Sequence, residues 1–267
     1  MKVGLVGCGA IGTYIAELIE QKYSKSASLT SVYDISEKNV NTLSSSVSNP
    51  PEFTTLFNLI QQSDLVIEAA HVSCVKEVVT QSLKLNKDIL VMSVGGLLEL
   101  EDLKSLSDAS KGALYIPSGA IAGVDALSAA MQKGIEKVTL VTRKPIQSLL
   151  GAPFLKEKGI DVESITEEVI LFEGLAQDAV KAFPQNVNVA AVLSMATLGA
   201  DQVQVKVITS PEFKRNSHEI VAEGKFGTIR TVTENEPSET NPKTSALAQY
   251  SLAATLDKIF SNIKIGT

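Results

Sequence analysis

Gly7-Cys8-Gly9-Ala10-Ile11-Gly12 stands directly after the apolar stretch Lys2 to Val6 and opens a run in which Ile11, Ile15, Leu18 and Ile19 recur at helical spacing. Three glycines at this spacing suit a strand-to-helix turn that must bend tightly at Gly7, bare its backbone at Gly9 and pack helix on strand at Gly12. The amides of Ala10 and Ile11, at the positive end of the helix, can then face a pyrophosphate. Asp34 follows twenty-two residues after Gly12, at the end of a second strand-like stretch. A carboxylate there accepts hydrogen bonds from ribose hydroxyls and repels a 2′-phosphate, which favours NAD over NADP. Lys38 nearby can pair with a phosphate and leaves NADP possible. A plain turn would explain the glycines, but not the agreement of position, spacing and flanking periodicity.

Proton transfer needs a group that titrates near neutral pH, and the chain has two histidines. His218 lies in Lys214-Arg215-Asn216-Ser217-His218-Glu219, a polar run beside a strand, where Lys214 and Arg215 can attract an anion. A lone histidine is more often structural, so the residues alone leave both roles open. His71 follows the strand end Glu68-Ala69-Ala70, and ligands of parallel sheets sit at that edge. His71 and Cys74 have metal-like spacing without a third ligand, so a helix start is the plainer reading, and no metal is expected. Pro117-Ser118-Gly119-Ala120-Ile121-Ala122-Gly123 and Asn241-Pro242-Lys243-Thr244-Ser245 carry amides, hydroxyls and a lysine suited to carboxylates, though the second also reads as an ordinary helix cap.

The elements that must position these residues fall into two regimes. Strands at 2–6, 29–33, 64–70, 88–94 and 113–116 alternate with helices from 10, from 36, at 72–85 and at 98–110, with Ser44 to Pro51 as a surface loop. Repeated βα units predict a Rossmann-type, doubly wound parallel sheet. Beyond Pro117, strands at 138–142, 169–172, 203–209, 218–222 and 228–233 surround helices near 174–182 and 187–199. The last three strands have no helix between them, which favours antiparallel pairing in a second α+β domain with a mixed or antiparallel sheet. After Asn241-Pro242, Leu252, Leu256, Ile259, Phe260 and Ile263 form the stripe of a final helix. The expected division is a dinucleotide-binding domain over 1–120 joined by helix 241–267, and a substrate, catalytic and dimerisation domain over 121–240.

A length of 267 residues with 44% hydrophobic content suffices for two cores, and a net charge of -6 offers no basic footprint for nucleic acid. Cys8 and Cys74 cannot form a dense disulfide framework, so a reducing cytoplasm is expected. The apolar start is broken by glycines far short of a membrane span, and it reads as a first strand rather than a signal peptide.

Taken together, Gly7 to Gly12, Glu68-Ala69-Ala70, Ser118-Gly119-Ala120-Ile121 with Asp125-Ala126-Leu127, Asn216-x-His218-x-Ile220 and Asn241-Pro242-Lys243-Thr244-Ser245 resemble the L-aspartate dehydrogenase family over nearly the whole chain. The resemblance implies reversible NAD(P)-dependent oxidative deamination of L-aspartate to oxaloacetate and ammonia through iminoaspartate, a product that can feed NAD biosynthesis. It implies His218 as the acid/base group, cofactor contacts from Ala69, Ala122 and Asn188 beside Gly7, Gly9, Ala10, Ile11, Gly12 and Asp34, and a homodimer. Ser118, Ala120, Lys243, Thr244 and Ser245 are the candidates for holding the two carboxylates of the small amino-acid substrate. His71 has no counterpart in that pattern. Homoserine dehydrogenase-like or dihydrodipicolinate reductase-like enzymes share the glycine turn, although the histidine pair typical of the latter is missing. A nicotinamide-binding sensor would need no acid/base group.

Overall fold

The computed structural model describes residues 1–183, 188–238 and 245–266. They divide into two compact units, one of residues 1–117 with 252–264 and one of residues 118–251 with the extreme C-terminus.

In the first unit β1 (Lys2–Val6), α1 (Ala10–Lys22), β2 (Ser28–Tyr33), α2 (Glu37–Ser46), β3 (Glu52–Phe53), α3 (Leu56–Gln62), β4 (Leu65–Glu68), α4 (Val75–Lys84), β5 (Asp88–Val91), α5 (Leu103–Ala109) and β6 (Leu114–Tyr115) follow in order. The six strands are parallel in the order β3-β2-β1-β4-β5-β6, the Rossmann arrangement, whose direction of winding reverses between β1 and β4. Strands covered on both faces read as near-continuous apolar runs, and β4 is buried at every position, Leu65-Val66-Ile67 followed by Glu68 at its end. Helix α1 turns Ile15, Ala16 and Ile19 onto the sheet, and each fully buried aliphatic side chain contributes about 1.5–3 kcal/mol.

Two expectations in this unit need correction, and two elements, β3 and α3, were not expected. Ser44 to Ser46 are not loop, because α2 runs on to Ser46 once Val40 and Leu43 are buried. β3 and α3 follow with too few buried positions to leave a period in the sequence. The helix expected over 98–110 starts only at Leu103, after a 3-10 turn at Val94–Glu99. Packing sets that turn: a Cβ on Gly96 would stand 2.7 Å from Cβ of Val75 on α4.

The second unit contains α6 (Val124–Met131), β7 (Ile135–Pro145), α7 (Pro153–Lys158), β8 (Val169–Leu175), α8 (Ala176–Ala182), α9 (Asn188–Ala196), β9 (Gln204–Ser210), β10 (Asn216–Gly224) and β11 (Gly227–Asn235), and a last helix, α10 (Ala246–Phe260), passes from it into the first. Its sheet is mixed, in the order β11-β10-β7-β9-β8. The last three strands are therefore not one antiparallel meander: β9 pairs in parallel with β7, and β7 separates it from β10. At 11 residues β7 is the longest strand, and its alternation buries Val138, Leu140, Thr142 and Lys144 on one face. A strand with that much to bury takes the centre of the sheet.

The C-terminal part of α10 joins the first core through Leu252 and Leu256, with Ile259 and Phe260 packed alongside. Tyr23 anchors it, its hydroxyl donating to Asp257 at 2.9 Å and its ring lying 5.0 Å from that of Phe260. Ile263 lies beyond the helix and is exposed, not part of the stripe. The cap Asn241-Pro242 falls outside the described residues.

Candidate active site

Each glycine of the turn has a different physical reason. Gly7 has φ +98°, and a Cβ there would meet the Ala69 carbonyl oxygen at 2.5 Å. A Cβ on Gly12 would lie 2.0 Å from the Gly7 carbonyl oxygen, so α1 reaches the turn only because Gly12 has no side chain. Gly9 differs from both: its φ of −73° suits any residue and nothing lies within 4 Å of a Cβ. Neither conformation nor internal packing accounts for glycine at this position. Approach of a group from outside the chain does.

Helix α1 starts without a side-chain cap and without an acidic residue in its first turn. Its first amides, Ala10 and Ile11 among them, therefore carry the partial positive end of the helix without a capping side chain. Asp34 reaches back from β2 to the same turn. Its Oδ2 accepts from Cys8 N at 2.7 Å and from the Asn39 amide at 3.4 Å, and its Oδ1 accepts from Ser36 N at 2.7 Å. Oδ1 is thus used once and keeps acceptor capacity for a ribose hydroxyl. The next residue, Ile35, is 94% exposed, an apolar face directly beside that carboxylate which the sequence reading passed over. Burial and the Asp34 charge push the Cys8 thiol up to about 12, so it serves as packing. These features fit a dinucleotide.

Ala69 is brought to the glycine turn, its amide donating to the Val6 carbonyl at 2.8 Å. Glu68 before it is wholly buried and accepts from Ala70 N, Ser93 N and Ser93 Oγ at 2.8–2.9 Å, which ties the ends of β4 and β5 together. Burial raises its pKa against the pull of these bonds. His71 caps the 3-10 turn Val72–Cys74 through its Nδ1, which lies 3.0 Å from Ser73 Oγ and accepts from Ser73 N at 3.3 Å.

In the second unit His218 sits on β10, directly across from Thr142 on β7 and Thr233 on β11. It is not on an exposed polar edge: it is buried in an inner strand, and its Nδ1 lies 2.6 Å from Thr142 Oγ1. With Nδ1 engaged, Nε2 is the nitrogen left to exchange a proton. Burial, and then the positive charge of Lys144, lower its pKa to about 3, which leaves it a neutral imidazole at physiological pH, with a free lone pair to accept a hydrogen bond or a proton in transit. Arg215 is exposed and paired with Glu236.

The 118–123 segment is bonded to β11. Thr233 Oγ1 and Asn235 Nδ2 donate to the Ala120 carbonyl at 2.9 and 3.0 Å, and Thr231 Oγ1 donates to that of Ala122 at 3.2 Å. Residues 231, 233 and 235 share the sheet face of His218, so Ala120 and Ala122 come to the histidine's side of the sheet. Ser118 is half-buried beside Gly119, whose amide donates to Ser251 Oγ at 3.0 Å. Ser245 is buried and bridges to Pro237, just past β11. Asn188 opens α9 and is exposed. Lys243 and Thr244 lie outside the described residues. Sequence reasoning missed Thr142 and Lys144: both are regular positions in a strand, and only the register of β10 on β7 sets them beside His218 and Asn216.

A Rossmann sheet fitted for a dinucleotide and a second sheet built around a buried neutral histidine define a nicotinamide-dependent oxidoreductase. The comparisons narrow this. Residues 125–259 match the family model described as "Aspartate dehydrogenase, C-terminal", and residues 7–115 match "Homoserine dehydrogenase, NAD binding domain". The chain is 45% identical to the L-aspartate dehydrogenases of Methanosarcina acetivorans and Methanosarcina barkeri, with both chains covered in full in each case. The crystal structure of aspartate dehydrogenase from Thermotoga maritima superposes with a TM-score of 0.77 at 26% identity, covering 100% of this chain and 99% of that one. This chain belongs to the aspartate dehydrogenase family.

Proposed function

We propose that this protein catalyses the reversible oxidative deamination of L-aspartate to oxaloacetate and ammonia with NAD, NADP being a possible second cofactor. The observation that carries the reading is His218, a neutral imidazole held by Thr142 inside a chain that aligns end to end with L-aspartate dehydrogenases.

NAD, when bound, would supply the hydride acceptor for the α-carbon of the amino acid. Gly7, Gly9, Ala10, Ile11 and Gly12 would seat its pyrophosphate, Asp34 its ribose, and Ile35 offers an apolar face to its base. Ala69, Ala122 and Asn188 are further candidates for cofactor contact. His218 takes a proton from the water that attacks iminoaspartate and returns one to the departing amine. Ser118, Ala120, Lys243, Thr244 and Ser245 are proposed to hold the carboxylates. The division of labour follows the two units, dinucleotide binding in the first and substrate handling in the second.

Among the described residues no helix is long and apolar enough to cross a membrane. A cytoplasmic homodimer is the proposed working form. The sheet face opposite His218 supports the dimer, since it exposes Val232 and Ile170 by half around the Arg143–Glu219–Arg230 ion pairs. Sedimentation equilibrium tests it, a mass of one chain being the contrary result.

The activity is tested by following NADH absorbance with L-aspartate and NAD, and in reverse with oxaloacetate and ammonia. A signal that requires L-aspartate is expected. Its absence with both NAD and NADP would sink the reading.

A further inference from the structure

Lys144 is a charged residue at a position that asks for an apolar one. It continues the buried series Val138, Leu140, Thr142 along β7, and only 4% of its surface is exposed. The gap around it is lined by Leu140, Phe183, Val189 and Val207. A leucine or methionine would fill such a place without desolvating a charge.

The partners offered to its ammonium are few. In register, Lys144 faces Thr209 on β9 and its side chain reaches Asn216 at the start of β10, which in turn faces Asn235 on β11. Thr209 Oγ1 donates to the Lys144 carbonyl at 2.7 Å and the Asn235 amide nitrogen donates to the Ala120 carbonyl, and among the described residues neither side chain accepts a bond from the ammonium. That leaves Asn216 Oδ1 at 3.5 Å, a long contact for a group with three donors. Among the described residues no carboxylate comes within 4.0 Å of it. A buried cation in this state lacks one thing, an anion with several acceptor oxygens.

His218 and Thr142 occupy the adjacent row of the same face. Positions i and i+2 of a strand are about 7 Å apart, a span over which a four-carbon diacid can present its α-carbon to an imidazole while a carboxylate rests on the ammonium.

We infer that Lys144, with Asn216 beside it, forms a carboxylate-binding subsite for the substrate, so that the buried ammonium selects the dicarboxylic amino acid next to His218. The inference rests on the activity proposed above. Lys144 is then a substrate-binding residue that supplies in advance the charge a solvated lysine would provide only weakly. Burial lowers its pKa to about 8, which leaves it protonated at neutral pH.

The test replaces Lys144 with methionine, and in a second variant with glutamine, in the full chain. Four readings are taken: kcat and KM for L-aspartate, inhibition by succinate, NADH affinity and the melting temperature. KM and the succinate inhibition constant are expected to rise by about 10²-fold, with NADH affinity unchanged and a melting temperature equal to or above the wild type's. A lysine with a merely structural role would instead lower the melting temperature and leave the succinate constant alone. Values of KM and succinate inhibition near wild type overturn the subsite, as does failure of both variants to fold. If the wild type itself turns over no L-aspartate, the proposed activity fails separately. Calorimetric succinate binding then decides the subsite: loss of binding in K144M supports it, and binding equal to wild type, or absent from both, overturns it.

Discussion

Thr142 Oγ1 and His218 Nδ1 stand 2.6 Å apart, on two strands separated by 76 positions in sequence. The pair fixes the plane of the imidazole and selects Nε2 as the nitrogen that works. Thr142 is a positioning residue, because it acts through the ring it holds. Replacing it with the near-isosteric valine should lower kcat about fivefold, the equivalent of a lost hydrogen bond of about 1 kcal/mol, and leave NADH affinity unchanged. Thr142→Ser should restore most of the rate. Steady-state kinetics of the two variants decide this, and a valine variant as fast as the wild type would show that packing alone orients the ring.

Removal of the imidazole itself should cost more. His218→Ala is expected to cut turnover by about 10² or more, with little change in cofactor binding. Turnover surviving at the wild-type rate, measured in both directions, would remove His218 from the proton-transfer role.

The glycine turn separates a folding requirement from a binding requirement. Gly9→Ala should fold with an unchanged melting temperature, since its φ is ordinary and its Cβ meets nothing, yet lose about 10² in NAD affinity because the methyl group stands where the diphosphate must approach. Gly12→Ala should lose about 3 kcal/mol of stability, its Cβ being driven into the Gly7 carbonyl. Thermal melts with fluorescence titration of NADH distinguish the two. A destabilised Gly9→Ala would reverse the assignment.

Asp34 decides which dinucleotide is preferred. Asp34→Ser should raise KM for NAD about tenfold and move the NAD-to-NADP ratio of kcat/KM toward NADP, because the repulsion of a 2′-phosphate goes with the charge. A ratio unchanged from wild type would reduce Asp34 to the bonds it makes with Cys8, Ser36 and Asn39.

The buried histidine also leaves a mark on stability. Its pKa falls from 6.5 to about 3 on folding, so between those values the unfolded chain binds a proton that the folded chain does not. Stability from this group is complete above pH 6.5 and is lost as the pH falls toward 3. Urea midpoints of the wild type should therefore decline over that window, and His218→Gln should decline less steeply. Parallel declines would mean that the imidazole is already protonated when folded.

Much of the first unit was legible because its signals are local. Glycine spacing, the strand-final Asp34 and the Ile15–Ile19 stripe state a Rossmann turn within a few dozen residues, and the apolar stripe of α10 announces a buried helix wherever it packs. α3 and β3 were not legible, since a helix with two buried residues and a strand of two leave no period. The 3-10 turn at Val94–Glu99 was hidden for another reason, the close approach of Gly96 to α4.

For the second unit the sequence by itself determined that His218 is one of only two imidazoles able to move a proton, and that its neighbourhood resembles one family. It did not determine what the imidazole touches. Strand pairing did: with β9 and β10 on either side of β7, Thr142 came to His218 and Lys144 to Asn216, and an expected meander of three strands became a sheet centred on another. Strand periodicity gives the face on which a residue lies, but partners across strands depend on register between distant segments, which no local pattern carries. The charge beside the base is thus a property of the fold.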